Sequence, residues 1–365
     1  MKVLSRHRHY WKQALFFALI WWASALVYSL LEVGLLGDAK LYPTSGNVYS
    51  LKGSVLYGGT FSFIVGWIQG WIEVAWLRSR FQNSALWFKV IAKSIFYICF
   101  ILLFLVAMVF IANSLLLEVA IWDPLVFESL LTFMSTISFW SIMIYIAVTL
   151  SIAILFSEII EYFGMTRLID FILGRYHHPN QETRIFMFLD MKSSTTIAEQ
   201  LGHEKYFQLL KKYYSDMTQP ILNTDGDIYQ YVGDEIVVSW LEKKGLQNNR
   251  CIECYRQISE SIHQQSEIYL KKFGLIPEFK AAFHVGEVTT GEIGIIKKDI
   301  IYTGDVLNTT ARIQAECNKY NVEILLSKEL YTNLTQGEHF NGSEIGELQL
   351  RGKQFPTKLY SLSFD

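Results

Sequence analysis

Two hydropathy regimes divide the chain near residue 160. Before it, apolar residues run almost unbroken over long stretches; after it, they recur with strand or helix periodicity between charged residues. Ala14–Leu36 carries one charge, Glu32, and Val55–Leu77 carries one, Glu73; Ser94–Ala112 and Ile137–Ser157 carry none. A helix crosses a bilayer core with roughly 20 apolar residues, so four spans are predicted, an α-helical membrane bundle over 1–157. Leu115–Met134 is also apolar, but Glu118, Asp123, Pro124 and Glu128 make it an interfacial or re-entrant element rather than a fifth span. From Phe156 to Tyr176, Ile159, Ile160, Phe163, Leu168, Ile169, Ile172 and Leu173 recur at helical spacing, with Glu158, Glu161, Arg167 and Asp170 between them. This predicts an amphipathic connector over 158–180, ending in a linker with His177, His178 and Pro179.

In the remaining part, 181–365, the pattern predicts a strand at 184–190. A helix from 194 to 220 follows, broken near Gly202, with Tyr206, Phe207, Leu210, Tyr213, Met217 and Ile221 on its buried face. Next come a hairpin (227–232, turn Gly233-Asp234, 235–240), a helix at 248–272 and strands at 278–286 and 298–303. A helix at 306–319, a strand at 322–326, a short helix from Ser327 and strands at 345–350 and 357–363 complete the order. The glycine-rich run Gly286–Gly294 reads as a tight loop. Such alternation predicts an α+β sheet covered by helices, of the ferredoxin-like split-βαβ type.

Composition sharpens the division. The chain is 51% hydrophobic, with a mean hydropathy of +0.24, and nine of its ten tryptophans precede residue 141. The net charge of −2 implies no strong field, and no basic patch with interleaved aromatics points to nucleic acid. Cys99, Cys251, Cys254 and Cys317 form no disulfide framework; the Cys251-x-x-Cys254 spacing places two thiols on one helix face. Lys2, Arg6, Arg8, Lys12, Arg78, Arg80, Lys89, Lys93, Arg167 and Arg175 flank one side of the four spans, against Lys40 and Lys52 on the other. By the positive-inside rule both termini are cytoplasmic, in a multi-pass protein of the cell inner membrane. Glu32, Gln69 and Glu73 are polar groups at membrane depth, fit for headgroups, for hydrogen bonds within the bundle, or for function.

The candidate chemistry lies in the second regime. Asp190 ends the run Ile185–Leu189, and Asp234 sits in the hairpin turn Val232-Gly233-Asp234-Glu235. Two carboxylates at adjacent strand ends suit Mg²⁺, a hard cation that shares oxygen ligands with phosphates. Asn308-Thr309-Thr310-Ala311-Arg312 puts an amide and a guanidinium on one helix face. Leu350-Arg351-Gly352-Lys353 adds two late cations. No phosphate loop with G-x-x-x-x-G-K-[ST] spacing and no H-E-x-x-H or G-x-S-x-G sequence occurs.

These segments, in this order, resemble the class III nucleotide cyclases over roughly residues 180–365. The resemblance implies closure of a nucleoside triphosphate to a 3′,5′-cyclic nucleotide. It implies that Asp190, Asp234 and the Met191 carbonyl hold two Mg²⁺ ions, with Mn²⁺ as a substitute. It further implies that Asn308 orients the ribose, Arg312 stabilises the transferring phosphorus, and Lys353 or Arg351 contacts the phosphates. Gly233 belongs to the substrate loop. Because the family takes aspartates from one subunit and the Asn/Arg pair from the other, a head-to-tail homodimer is expected. Base choice departs from the family pattern. Gln230 stands where adenylate cyclases commonly place lysine, and Ile301 stands where a second polar residue is usual, with Thr303 close by. A glutamine amide faces adenine or guanine equally well, so ATP and GTP both remain open, with the overall look favouring ATP. The competing expectations are a diguanylate cyclase, from the faint Gly233-Asp234-Glu235 signature, and a non-catalytic nucleotide-binding module.

Overall fold

The computed structural model describes residues 2–37, 50–81, 84–164, 169, 173–176, 178–296, 298–335, 340–353 and 355–364. Arg167, Leu168, Asp170, Ile172 and His177 of the expected connector lie outside them. The chain divides into two compact units, one of His7–Ile169 and one of Asp170–Asp365 with Met1–Arg6.

The first unit is helical. It contains α1 (Lys2–Leu36), a helical stretch over 51–81, α2 (Leu86–Leu117), α3 (Pro124–Ser135) and α4 (Ile137–Phe163). Four segments are long and apolar enough to cross a membrane: Gln13–Leu36, Leu51–Leu77, Leu86–Leu103 and Phe139–Glu161. The 12-residue α3 is too short to span, which agrees with an interfacial or re-entrant element. The third candidate span begins earlier than Ser94, and this moves two charges. Lys89 and Lys93, expected in a loop flank, are buried within α2. Lys93 Nζ lies 2.7 Å from Glu158 and also pairs with Glu73, while Lys89 Nζ lies 3.0 Å from Glu158. Tyr97 Oη donates to Glu73 at 3.0 Å. Gln69 accepts from Trp21 Nε1 at 2.6 Å, and Glu32 accepts from Ser54 at 2.8 Å. All three polar residues of the candidate spans are therefore hydrogen-bonded within the helical unit. Glu73 itself opens a π turn, Glu73–Leu77, in a helix that is otherwise α over Gly59–Ile72; such bulges accompany special side-chain placements.

The second unit is an eight-stranded mixed sheet: β1 (Asn180–Met191), β2 (Asp227–Val232), β3 (Glu235–Leu241), β4 (Phe279–Ile293), β5 (Asp299–Thr303), β6 (Ile324–Ser327), β7 (Asn341–Leu348) and β8 (Thr357–Ser363). Its order is β2-β3-β1-β4-β6-β8-β7, with β5 on β4. Only β4 and β6 pair in parallel among the described ladders. The near-continuous burial of Ile185–Leu189 follows from covering both sheet faces. Ile185, Met187 and Leu189 pack with Leu209, Tyr213 and Met217 of α6 (His203–Asn223) and with Ile258 of α7 (Arg250–Gln264). Phe186 and Phe188 pack on the opposite face with Tyr302 and Val306.

The expected helix break is present: α5 (Ser194–Leu201) ends at Gly202, whose φ of +73° suits glycine. Three expectations change. Phe207 is 64% exposed, and Leu209 takes the inward position instead. The helix expected at 248–272 breaks at Gln265 into α7 and α8 (Ser266–Phe273). The glycine-rich run is strand, not loop: Gly286 pairs with Arg184, and Thr289–Ile293 pair with β5. Glycine at 286 leaves room for Val306, which lies 3.1 Å from where a Cβ would stand. Cys251 and Cys254 are both buried in α7, as two inert thiols on one face.

Candidate active site

Asp190 is the last-but-one residue of β1 and pairs directly with Glu235, the first residue of β3. The turn before β3 therefore sets Asp234 beside it. Gly233 supplies the φ of +63° that this turn needs. Tyr214 of α6 pins the turn: its hydroxyl donates to the Gly233 carbonyl at 2.9 Å and to the Glu235 carbonyl at 3.3 Å. The two carboxyls lie within hydrogen-bonding reach of one another. Burial first, then the Asp234 carboxyl, push the Asp190 carboxyl up to about 7; the two protons belong to the pair. Lys280 of β4 lies opposite Asp190 in the ladder and its Nζ is 3.5 Å from the carboxylate, a partial counterweight. The sequence reading missed Lys280. Its strand was anticipated, but its register against β1 was not.

This pair fits a divalent cation. It offers hard oxygen ligands in a half-buried place where Lys280 offsets their mutual repulsion only in part. Among the described residues no third His, Cys, Asp or Glu joins it. Further ligands would then come from other oxygens: backbone carbonyls, neutral side chains, water or substrate. Met191 buries its side chain in the core, so only its backbone is available there.

A second group forms around α9 (Asp305–Tyr320). Asn308 is exposed on its first turns. Four residues on, Arg312 lies against Gly352, 3.4 Å from where a Cβ would stand. One guanidinium nitrogen, Nη1, is buried without a hydrogen-bond partner among the described residues. The turn closed by Lys353 N–H to the Leu350 carbonyl (3.0 Å) delivers Lys353 to Asp305, with which it ion-pairs. The ammonium holds the Asp305 carboxyl below its ordinary range. Arg351 is exposed. A guanidinium with one unpartnered nitrogen, beside an ammonium held by one exposed carboxylate, suits an anion.

The third group joins Gln230 and Thr303. Both side chains are exposed, and the residues before them, Tyr229 and Tyr302, have ring centroids 4.8 Å apart. The ladders place its two members differently: Gln230 pairs with Val237, and Val237 with Phe188, two residues along β1 from Asp190. Thr303 pairs with Thr289, and Thr289 with Gln181. Gln181 is nine residues along β1 from Asp190, about 30 Å of strand at roughly 3.3 Å per residue.

Residues 176–363 match the family model described as Adenylate and Guanylate cyclase catalytic domain. The chain belongs to that family. A cyclase domain of this family is generally metal-dependent, which agrees with the carboxylate pair. Over 210 residues the chain is 32% identical to Adenylate cyclase 2 of Rhizobium meliloti (strain 1021), covering 58% of each protein. Over 182 residues it is 23% identical to Adenylate cyclase 1 of the same strain, covering 48% of this chain and 27% of that protein. The chain thus spans well under two thirds of these curated relatives. In fold it is similar to a bacterial light-regulated adenylyl cyclase, with a TM-score of 0.52 at 18% identity over 60% of this chain and 64% of that one.

Proposed function

We propose that this chain is a membrane-anchored adenylate cyclase, converting ATP to 3′,5′-cyclic AMP and pyrophosphate. The observation that carries the reading is the meeting of Asp190 and Asp234 at one sheet end, together with a separate cationic group at Arg312 and Lys353. The cyclase domain occupies 181–365, behind a membrane domain over 1–157 and a connector over 158–180. The basic flanks at Arg6, Arg8, Arg78 and Arg80 support a cytoplasmic catalytic domain on the inner membrane.

Asp190, Asp234 and the Met191 carbonyl would hold two Mg²⁺ ions, with Mn²⁺ able to replace them. Bound there, the metals would neutralise phosphate charge and make the ribose 3′-hydroxyl more acidic. The remaining work falls to the chain. Arg312 directs its partnerless guanidinium nitrogen at the α-phosphate, and Lys353 exchanges Asp305 for the leaving phosphates. Asn308 holds the ribose so that its 3′-oxygen lies in line with the phosphorus–oxygen bond that breaks. Gln230 and Thr303 face the base.

The resemblance to cyclases that divide their site between two subunits supports a site shared between two copies. In a head-to-tail homodimer, one chain's carboxylates meet the other's Thr303, Gln230, Asn308 and Arg312. The fully exposed Ile295 and Ile296 between β4 and β5 also fit burial against a partner. The likeness to Adenylate cyclase 2 favours ATP; the ambivalent amide of Gln230 supports GTP as the second reading. The test incubates the purified full chain with ATP or GTP and Mg²⁺ or Mn²⁺, with products identified by mass spectrometry. Cyclic AMP is expected. Cyclic GMP alone would transfer the reading to a guanylate cyclase, and no cyclic product would overturn it. Asp190→Ala and Arg312→Ala chains, each inactive, should recover activity when co-expressed; silence in the mixture would remove the shared site.

A further inference from the structure

Gln230 and Thr303 stand on strands that the sheet does not place side by side. β2 is an edge strand, β5 hangs on the far end of β4, and β3, β1 and β4 lie between them. Ladder pairing therefore leaves their spacing to side chains. One set of side chains spans the gap. In β2, Ile228 pairs with Val238 and Gln230 with Val237, so Tyr229 is the extra residue of a β-bulge. A bulge re-aims side chains, and here the Tyr229 ring meets Tyr302 at 4.8 Å. Its hydroxyl also accepts the Tyr302 backbone N–H at 3.4 Å.

Over the Tyr302 ring lies Arg184 of β1, its guanidinium carbon 4.8 Å from the centroid. Nη2 reaches Asp227 of β2 at 2.9 Å and Ser239 of β3 at 3.1 Å, and Nη1 reaches Glu182 at 3.1 Å. Glu182 accepts from Thr290 of β4 at 2.8 Å, and Phe186 abuts Tyr302 edge-on at 5.5 Å. One side chain thus ties β1, β2, β3 and β5 together. A buried arginine is a poor way to stabilise a sheet, since an apolar residue of similar size often does as well or better. Arg184 is 5% exposed and its Nε has no hydrogen-bond partner among the described residues. Its planar fork does what an aliphatic residue cannot, stacking on a ring while bonding two other strands.

We propose that Arg184, acting through Tyr302 and Tyr229, is a positioning residue that sets the distance between Gln230 and Thr303 and so the purine preference. The proposal rests on the cyclase reading, because it gives those two residues a base to read. Hydrogen-bond readout tolerates errors of only a few tenths of an ångström, and sites that read by hydrogen bonds lose discrimination steeply when a partner moves.

The test compares the full-length parent with Arg184→Met, Arg184→Lys and Tyr229→Phe. It measures kcat and KM for ATP and for GTP, competition of both against a fluorescent purine nucleotide, the half-saturating Mg²⁺ concentration, and thermal unfolding. Arg184→Met should lower the ratio of kcat/KM between the two nucleotides by about tenfold, chiefly through KM, and leave the Mg²⁺ requirement where it was. Arg184→Lys should fall between, and Tyr229→Phe should shift the ratio by about twofold to threefold. If Arg184→Met does not fold, the other two variants decide by the same ratio. A folded Arg184→Met with the parental ratio, or with equal losses for both nucleotides, overturns the inference. A parent that makes no cyclic nucleotide defeats the cyclase reading instead. The inference is then judged on the ATP-to-GTP binding ratio, and a parent that binds without purine preference defeats that too.

Discussion

The two units bury charge in opposite ways. In the helical bundle, Lys93 and Lys89 are matched by Glu73 and Glu158, with Tyr97 completing the set, and every one of the four ionic side chains is at most 7% exposed. In the sheet, Asp190 faces a second carboxyl, with Lys280 at 3.5 Å to offset it in part, and Arg312 keeps a buried nitrogen without a hydrogen-bond partner among the described residues. The first set closes on itself: two cations, two anions, three helical segments held in register where bare charge would be costly. The second is left open on both signs. Under the proposed function, groups arranged in that way would gain their partners from what binds, a divalent cation for the carboxylates and a phosphate for the guanidinium. Burial alone does not mark a functional site; unanswered charge does.

The sharpest way to break this contrast is to neutralise one member of each set. Asp190→Asn should lower cyclic nucleotide production about a thousandfold while leaving thermal stability equal or higher, since a repulsion is removed. A folded variant that retained parental turnover would sink the assignment. Lys93→Met should do the reverse at first hand. We expect the bundle to lose about 3 kcal/mol, the lower part of the range for breaking a buried pair, measured by denaturant unfolding of the detergent-solubilised protein. Adding Glu73→Gln and Glu158→Gln should return much of that loss, because no charge is then left alone.

pH sharpens the contrast without mutation. A carboxyl raised to about 7 in the folded chain and near 3.9 when unfolded (about the ordinary value) binds more protons folded than unfolded between those limits. Stability from this group is then full below pH 4 and is lost as pH rises toward 7. The thermal midpoint of the parent should fall relative to Asp190→Asn over that window without divalent cation, and Mg²⁺ should abolish the difference. Parallel profiles for the two chains would mean that the pair does not repel as described. The smallest effect is expected at the turn itself. Tyr214→Phe removes the hydroxyl bonds to Gly233 and Glu235 and should cost about 1 kcal/mol, with a few-fold loss in turnover. A turnover loss as large as that of Asp190→Asn would assign Tyr214 a role beyond holding the turn.

Much of this was legible along the chain. The break at Gly202, the hairpin at Gly233-Asp234, the helix carrying Asn308 and Arg312 and the inadequacy of Leu115–Met134 as a span are all local signals: a glycine, a turn, a period, a proline. Phe207 shows the limit of periodicity, since Phe207 and Leu209 both suit an amphipathic stripe and only the sheet decides which one faces it. Lys89 and Lys93 show the limit of counting charge at span ends. A lysine reads as flanking until a helix is seen to bring Glu158 to meet it. The glycine-rich run misled because glycine signals turns in general, whereas here Gly286 admits Val306 against a continuous strand.

By itself the sequence determined the order of elements and the change of hydropathy regime near residue 160, and it offered candidate groups for a triphosphate, because these follow from side-chain chemistry and short-range period. Tertiary structure alone decided which of those groups meet. The register of β1 on β4 brought Lys280 to Asp190, and packing set Tyr302 of β5 against Phe186 of β1. Packing across the sheet brought Arg184 over Tyr302. Register and cross-sheet contact join residues far apart in the chain, and no local pattern encodes a distance between segments that touch only after folding.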